Sequence, residues 1–356
     1  DMGFDIIKVA SCSAMDWPLL EKIAASNLPV ICSTGGLDQE AIDSLYTFFF
    51  HRGVHFALMH CVSIYPTPPN MLNLNQVATM VKRHDHAVIG WSTHEEPDNL
   101  GAVQVAYAKG ARIFERHVGA VTDKIQLNAY SSTAEQVERW ITALQQAKEM
   151  CGGVERPPAP QEEVDSIIAL QRGIFAREPL KKGTLLTRDM VFFAMPCQDN
   201  QISSGVWREN IELLEDIDAG GAIFESSIEA FPEMPEMVIK RSLHSVKALL
   251  NEAAIPLNSD FEVEYSHHYG LENFLNTGAV LIKCVDRDYC KKIIVQLPGQ
   301  NHPSHFHKSK EETFQILRGV LEVEIDKHRK TLRPGDTCLV QPGVWHSFWT
   351  DTGCVF

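Results

Sequence analysis

The sequence predicts an α/β fold built on parallel strands, and three observations carry that expectation. Apolar runs recur at Ile6-Ile7-Lys8-Val9, Val30-Ile31-Cys32, Phe56-Ala57-Leu58-Met59, Val88-Ile89 and Ile113-Phe114. Their separation, roughly 25 to 30 residues, is what one strand, one helix and two loops occupy. The segments between them carry helix start and stop signals. Finally, His94 and His117 end two consecutive runs, Val88 to His94 and Arg112 to His117. Both imidazoles should therefore emerge side by side at the C-terminal edge of the sheet, where such folds keep their chemistry.

Taken in order, the run at Ile6 gives the first strand. Asp16 before Pro18 then starts a helix with the stripe Leu19, Leu20, Ile23. The strand at Val30 leads to a helix from Gln39 to Arg52 that stops at Gly53, and the strand at Phe56 follows. After the strand at Val88, Asp98 opens a helical segment closed by Gly110. After the strand at Ile113, Thr133 and Gln136 form a capping box ahead of Val137, Ile141 and Leu144. About five such units fit before Gly152, whereas a closed (β/α)8 barrel has eight. The chain also opens almost directly on a strand with no initiator Met and stops at Phe356 in an unfinished β domain. Both ends predict a part of a longer protein.

Composition narrows the function. The 356 residues are 44% hydrophobic, enough for two or three domains, and carry a formal charge of −14. That balance leaves no basic footprint for nucleic acid or an anionic membrane, so an anionic substrate must be held by local Lys, Arg, metal or backbone N–H groups. No apolar stretch reaches membrane-spanning length, and no signal peptide is visible. Nine cysteines without a C-x-x-C pair, with Cys32, Cys61 and Cys338 inside apolar runs, predict buried thiols and a cytoplasmic protein.

Three domains are expected. Residues 1–152 form the first, closed by the stiff stretch from Gly152 to Pro160. A small domain at 163–232 contains a weak internal duplication, Pro179 to Leu186 against Asp216 to Ile223, each a strand, Gly turn and strand. A linker from Phe231 to Pro235 precedes a third domain, 238–356, which begins as a helix and continues as β segments, truncated at its C-terminus.

Five motifs in register carry a resemblance to a known family. They are Lys8-Val9-Ala10-Ser11, Cys32-Ser33-Thr34-Gly35, His60 to Pro68, Gly90-Trp91-Ser92-Thr93-His94 and Glu115-Arg116-His117. Together they resemble the N-acetylneuraminate (sialic acid) synthases, and Leu180 to Asp189 resembles the antifreeze-like SAF (β-clip) domain that follows the barrel in that family. The resemblance implies a partial (β/α)8 TIM barrel that condenses phosphoenolpyruvate with a sugar aldehyde, giving a 2-keto-3-deoxy acid and phosphate. It also implies a divalent metal, Mn²⁺ or Mg²⁺, and a homodimer formed through the SAF domain. Lys8, Ser11, Ser33, Ser63, Tyr65 and Ser92 match positions that line the phosphoenolpyruvate and sugar pocket. The residue chemistry suits these roles. His94 and His117 can hold a Lewis acid against an aldehyde oxygen, Lys8 supplies a point charge, and the serines supply donors for phosphate and carboxylate. Lys8, Tyr65, His94 and His117 are the catalytic candidates. An unpaired ammonium buried in an apolar strand is costly, which favours a functional Lys8. His60, before a Cys in a strand, reads as structural.

Departures fall on the sugar side. The family carries a Glu where this chain has Ser13, an Asp in the loop where this chain has Lys124 to Asn128, and a sugar-contacting Arg where this chain has Met195-Pro196-Cys197. Asn128 is counted with the substrate-binding residues. Loss of the Arg removes a donor to an N-acyl oxygen, so the expected acceptor is either an N-acylmannosamine or a hexose without an acyl group.

A second metal signal lies near the C-terminus. Gly299, His305, His307, Glu312 and Gly319, followed by Gly335, Pro342, Gly343 and His346, follow the cupin pattern. Alternation puts His305 and His307 on one strand face, with Glu312 and His346 from neighbouring strands completing a site for Mn²⁺, Zn²⁺, Fe²⁺ or Ni²⁺ in a β-barrel. The runs Ser266 to Phe274, Arg287 to Lys292 and Lys308 to Thr313 resemble D-lyxose isomerase-like cupins, in which Lys310 and Glu311 would stand beside the ligand Glu312. His267 and His268 read as structural or surface residues. The expected protein is a carbohydrate enzyme with an appended sugar cupin; the competing class is a degenerate synthase scaffold in which only the cupin acts.

Overall fold

The computed structural model describes residues 3–124, 126–229, 235–257 and 262–356. They fall into two compact units, Asp1–Ala159 and Pro160–Phe356. The first contains five strands, β1 (Ile7–Val9), β2 (Val30–Ser33), β3 (Phe56–Cys61), β4 (Val88–Thr93) and β5 (Ile113–Arg116), all parallel and ordered as in the chain. Helices α1 (Trp17–Ala24), α2 (Gln39–His51), α3 (Asn75–Arg83), α4 (Leu100–Ala108) and α5 (Ala134–Cys151) alternate with them. Every residue of β3 is buried, as expected where a parallel sheet is covered on both faces.

The caps account for most helix starts. Asp16 accepts from Leu19 N at 3.2 Å, Asp38 from Ala41 N at 2.9 Å, and Thr133 with Gln136 makes the reciprocal capping box. The expected start at Asp98 shifts to Asn99, because the Asp98 carboxylate is drawn 2.6 Å from Arg139 of α5. Helix α3 has no side-chain cap, and Val77 and Met80 are its buried residues. Leu20, Leu45, Phe49, Leu58 and Trp91 build the core between sheet and helices. Truncating one of them to Ala would cost about 2–5 kcal/mol.

The sheet is strongly curved. Strands β1 and β5 are its two edges, with three strands between them, yet Lys8 Nζ of β1 lies 3.0 Å from Glu115 Oε2 of β5. Side chains from opposite edges meet only if the concave face closes toward itself, the curvature of a barrel arc. Lys8 is thus neither buried nor unpaired: its side chain is one-third exposed and its charge is matched by Glu115. The burial argument made for it from sequence is corrected, because the strand carries Lys8 on the open concave side.

The stretch from Gly152 to Pro160 is exposed and irregular, as its prolines require. The second unit begins with α6 (Gln161–Leu170), followed by the antiparallel pair β6 (Gly173–Ala176) and β7 (Val191–Ala194). The duplication is visible here as symmetry. Leu180 and Ile217 exchange both backbone hydrogen bonds at 2.8 Å, and each copy turns on a glycine at positive φ, Gly183 at 83° and Gly220 at 77°. Gly183 N donates to Leu213 O, and Gly220 N donates to the equivalent Ala176 O. Ile174, Leu186, Val191, Leu213 and Ile223 fill the space between the copies. Of the linker expected from Phe231 to Pro235, Phe231 to Met234 lie outside the described residues, and Pro235 opens α7.

Helix α7 (Pro235–Glu252) leads into β8 (Glu262–Ser266), β9 (Ala279–Asp286), β10 (Cys290–Gln296), β11 (Asn301–His305), β12 (Glu312–Gln315) and β13 (Arg318–Gly319). Then come β14 (Leu321–Ile325), β15 (His328–Leu332), β16 (Thr337–Val340), β17 (His346–Trp349) and β18 (Cys354–Val355). They form sheets ordered β13-β18-β10-β9-β8 and β11-β17-β14-β15, with β12 paired to β16. Phe314, Leu321, Val323, Phe348 and Phe356 pack between the strands. Cys32, Cys61 and Cys338 are buried free thiols, and burial pushes Cys32 up to about 12.

Candidate functional site

In the first unit the C-terminal strand ends surround a cavity of about 470 Å³. Strand alternation selects what faces it. Lys8, Ser33, Cys61, Ser92 and Glu115 point into the concave side, as do Ser63, His94 and His117 two residues further along, with Ser11 and Tyr65 from the adjoining loops. Every residue expected in this pocket lines it except Asn128. That side chain lies in an exposed loop and accepts from Tyr130 N at 3.2 Å, an Asx-type turn.

One wall is a cradle of small polar groups. Gly35 N donates to Ser11 Oγ at 2.9 Å, and a Cβ at Gly35 would collide with Ser63 Oγ and crowd Ser11 and Cys61. Ser33 is buried with its hydroxyl lacking a partner, an orphan donor facing the cavity. Lys8 contributes the cation. Glu115 is held on the acid side of its ordinary range: burial works against ionisation, but the Ser92 hydroxyl and Lys8 outweigh it.

The other wall is aromatic and basic. The His94 and His117 rings are 5.1 Å apart between centroids, with Tyr65 4.3 Å from His94. His94 Nδ1 lies 3.0 Å from Val62 O, and because a carbonyl only accepts, Nδ1 carries the hydrogen of that bond and Nε2 is the nitrogen left for a ligand. Burial and the neighbouring His94 lower the His117 pKa, keeping that imidazole neutral. The donor set fits a divalent ion. Tyr130 was not expected here: its ring stands at 90° to His117, 5.1 Å away. Nothing in its spacing marks it, because a loop brings it in from beyond β5.

Behind the imidazoles the alternate residues face α5. Arg116 Nη1 lies 2.6 Å from Glu95 Oε1, with side chains 3% and 1% exposed, and the guanidinium sits 5.7 Å over the Trp140 ring. Burial pushes the Glu95 carboxyl up, against the pull of Arg116. Each partner of this pair directly adjoins a pocket histidine in sequence, so the pair fixes the ends of β4 and β5. His60 is structural as expected, its Nε2 2.9 Å from Leu72 O.

In the second unit His305, His307, Glu312 and His346 converge, their ligand atoms all within 4.8 Å of one another. His305 Nδ1 lies 2.9 Å from Pro303 O and His346 Nδ1 3.2 Å from Val344 O, so both can present Nε2 inward. Glu312 Oε1 is 3.3 Å from His307 Nε2, and Oε2 is 3.4 Å from His346 Nε2. Burial opposes ionisation of Glu312, but His346 and Lys310 hold its pKa down to about 2. Burial also lowers His305 and His307. Three imidazoles and one carboxylate fit a divalent transition metal.

The cavity over this cluster is about 200 Å³ and is also lined by Ser266, His268, Lys292, His302 and Lys310. Lys310 pairs with Glu312, whereas Glu311 is exposed and outside the lining. His268 is exposed, as expected of a surface residue, and its ring also lines the cavity. His302 was missed, since it lies outside the cupin spacing and its partner His268 is 34 residues away.

Two stretches of the chain match known families. Residues 1–156 match the NeuB family and residues 293–355 the cupin domain. The chain is 40% identical to a solved structure from Chromobacterium violaceum, described as a spore coat polysaccharide biosynthesis protein E, with a TM-score of 0.61 over 64% of this chain and 68% of that one. It is 38% identical to the N-acetylneuraminate-9-phosphate synthase of Drosophila melanogaster over 33% of this chain and 31% of that one. It is 28% identical to spore coat polysaccharide biosynthesis protein SpsE of Bacillus subtilis over 54% and 56%. The chain thus spans only about a third to a half of these two curated relatives. With a curved parallel sheet, a strand-end pocket and these relatives, residues 1–156 form a NeuB family domain and residues 293–355 a cupin domain.

Proposed function

We propose that the first unit is the C-terminal part of a (β/α)8 synthase barrel that joins phosphoenolpyruvate to a sugar aldehyde. The products are a 2-keto-3-deoxy nonulosonic acid and phosphate. The observation that supports this most directly is the meeting, in one cavity, of an anion cradle (Lys8, Ser11, Ser33, Ser63) with a pair of imidazoles (His94, His117). In the reaction the methylene carbon of phosphoenolpyruvate bonds to the aldehyde carbon, water adds at the adjacent carbon, and phosphate departs. A Mn²⁺ or Mg²⁺ ion held by His94 and His117 would supply Lewis acidity toward the aldehyde oxygen. Lys8 and the serine hydroxyls bind and orient the phosphate and carboxylate. Glu115 pins Lys8 in place, and Tyr65 covers His94 on the solvent side.

The small domain is read as a SAF domain through which two copies pair, and the protein as cytoplasmic. The acceptor is read as a hexose lacking an N-acyl group, because Ser13, Asn128 and Met195 replace two carboxylates and a guanidinium. The cupin, holding a second divalent metal, is read as a sugar isomerase or sugar-binding module. A second reading, that the barrel is a degenerate scaffold and only the cupin acts, draws on the same departures. The test is to supply the full-length protein with phosphoenolpyruvate, Mn²⁺ and either mannose or N-acetylmannosamine. Formation of a 2-keto-3-deoxy acid supports synthesis, whereas no phosphate release with either aldose supports the scaffold.

A further inference from the structure

The cupin cavity contains a second polar cluster that the four-ligand motif does not use. His268 Nε2 lies 3.2 Å from His302 Nε2, and Ser266 Oγ completes the triangle at 3.2 Å and 3.5 Å. The His302 ring is buried and stacked on Phe348, 4.5 Å between centroids and 10° between planes, so it cannot turn away. Its Nδ1 is buried without a partner. A donor stranded there would cost more than an acceptor, which places the hydrogen on Nε2, directed at His268. His302 in turn adjoins the motif, its ring 4.8 Å from that of His305.

Size and charge define what fits. A volume of about 200 Å³ lies below the roughly 300–1,000 Å³ of drug-sized ligand pockets, too small for a nucleotide. The charged lining residues are Lys292, Lys310, Glu264 and Glu312. They cancel as pairs, with Lys292 Nζ 3.5 Å from Glu264 Oε2 and Lys310 bonded to Glu312. Among the described lining residues, no lysine or arginine is left over at the histidine end to hold a second anionic group. Ala279, Leu281, Ile294, Phe314 and Phe348 supply apolar wall between the two polar ends. Apolar walls between ends rich in donors and acceptors match the C–H faces and hydroxyls of a neutral polyol.

We propose that Ser266, His268 and His302 form a second recognition pole of the cupin cavity, and that one neutral polyhydroxylated molecule of monosaccharide size spans it and the His305, His307, Glu312, His346 cluster. This deepens the reading of the cupin as a sugar module and rests on it. His268 is a binding residue held in position by His302.

The test is equilibrium binding with the full chain, using D-fructose and D-mannose as probes and malonate as an anionic control, by calorimetry in the presence of Mn²⁺. His268→Ala should weaken binding of the preferred sugar at least fivefold, and His268→Gln, which can both donate and accept, should recover most of it. Mn²⁺ affinity should stay within twofold in both variants, which separates ligand recognition from damage to the metal cluster. If sugar binds equally to wild type and His268→Ala, the second pole is overturned while the sugar reading stands. If neither sugar binds wild type, or malonate binds more tightly than both, the sugar reading and the proposal fall together.

Discussion

The two histidine sites are built in opposite ways. The pocket of the first unit takes residues from all five strand ends and the loops beyond them, so its parts are distributed over more than 100 positions, from Lys8 to His117. The cupin cluster takes three ligands from within eight residues, His305 to Glu312, and the fourth from the adjacent β17. The difference is chemical as well. The cupin offers three imidazoles and a carboxylate, enough to hold a metal alone. The barrel pocket offers two imidazoles beside a Lys8–Glu115 pair and a set of hydroxyls, so a metal held by the imidazoles would draw the rest of its shell from substrate and water. A self-sufficient site should bind its ion tightly and without substrate; a shared site should bind weakly until substrate arrives.

The largest expected effect follows from that contrast. Replacing His117 or His94 by Ala should lower phosphate release at least about 100-fold, as loss of a positioned electrophile does in related chemistry. Circular dichroism should be unchanged, because both side chains face a cavity. Equilibrium dialysis should show the cupin ion retained. Release within threefold of wild type would remove these histidines from the chemistry.

Ion pairs sharpen the comparison within the first unit. Arg116→Ala leaves Glu95 buried and unpaired, so thermal or urea unfolding should show a loss of about 3–5 kcal/mol. Lys8→Ala breaks a pair that is one-third to two-fifths exposed, and stability should move by less than about 1 kcal/mol. Its cost should appear in KM for phosphoenolpyruvate. Equal destabilisation by the two would contradict the assignment of one pair to structure and the other to the pocket.

A smaller effect concerns pH in the second unit. Burial holds His302 at about 3, well below the ordinary imidazole value of 6.5. The unfolded chain therefore takes up this proton first, and the contribution to stability is complete above pH 6.5 and is lost progressively as pH falls toward 3. Metal-free protein should show that decline in urea titrations at successive pH values. His302→Phe, which keeps the stack on Phe348, should flatten it. An unchanged slope in that variant would place the sensitivity elsewhere. The smallest effect is acceptor choice: kcat/KM should favour mannose over N-acetylmannosamine, and the reverse order would show that another residue supplies the missing acyl donor.

Much of this was legible in the sequence, for identifiable reasons. The five parallel strands and their caps follow from local periodicity and short-range hydrogen bonds, as Thr133 with Gln136 shows. Both imidazole sites were readable because strand ends and alternation fix where a side chain points. What local pattern could not give depends on tertiary closure. The Lys8–Glu115 contact needs the curvature of the whole sheet, Tyr130 enters from a loop, and His268 meets His302 across 34 residues. Asn128 lies outside the pocket lining for the converse reason, its side chain being engaged locally in an Asx turn.

The central claim, that the two sites are separate and that the barrel pocket alone consumes phosphoenolpyruvate, is tested most directly by phosphate release from the full-length protein with Mn²⁺ and an aldose. Wild type, His117→Ala and His307→Ala would be measured side by side. The account predicts release abolished in His117→Ala and within twofold of wild type in His307→Ala. Equal loss in both, or loss in His307→Ala alone, would contradict it.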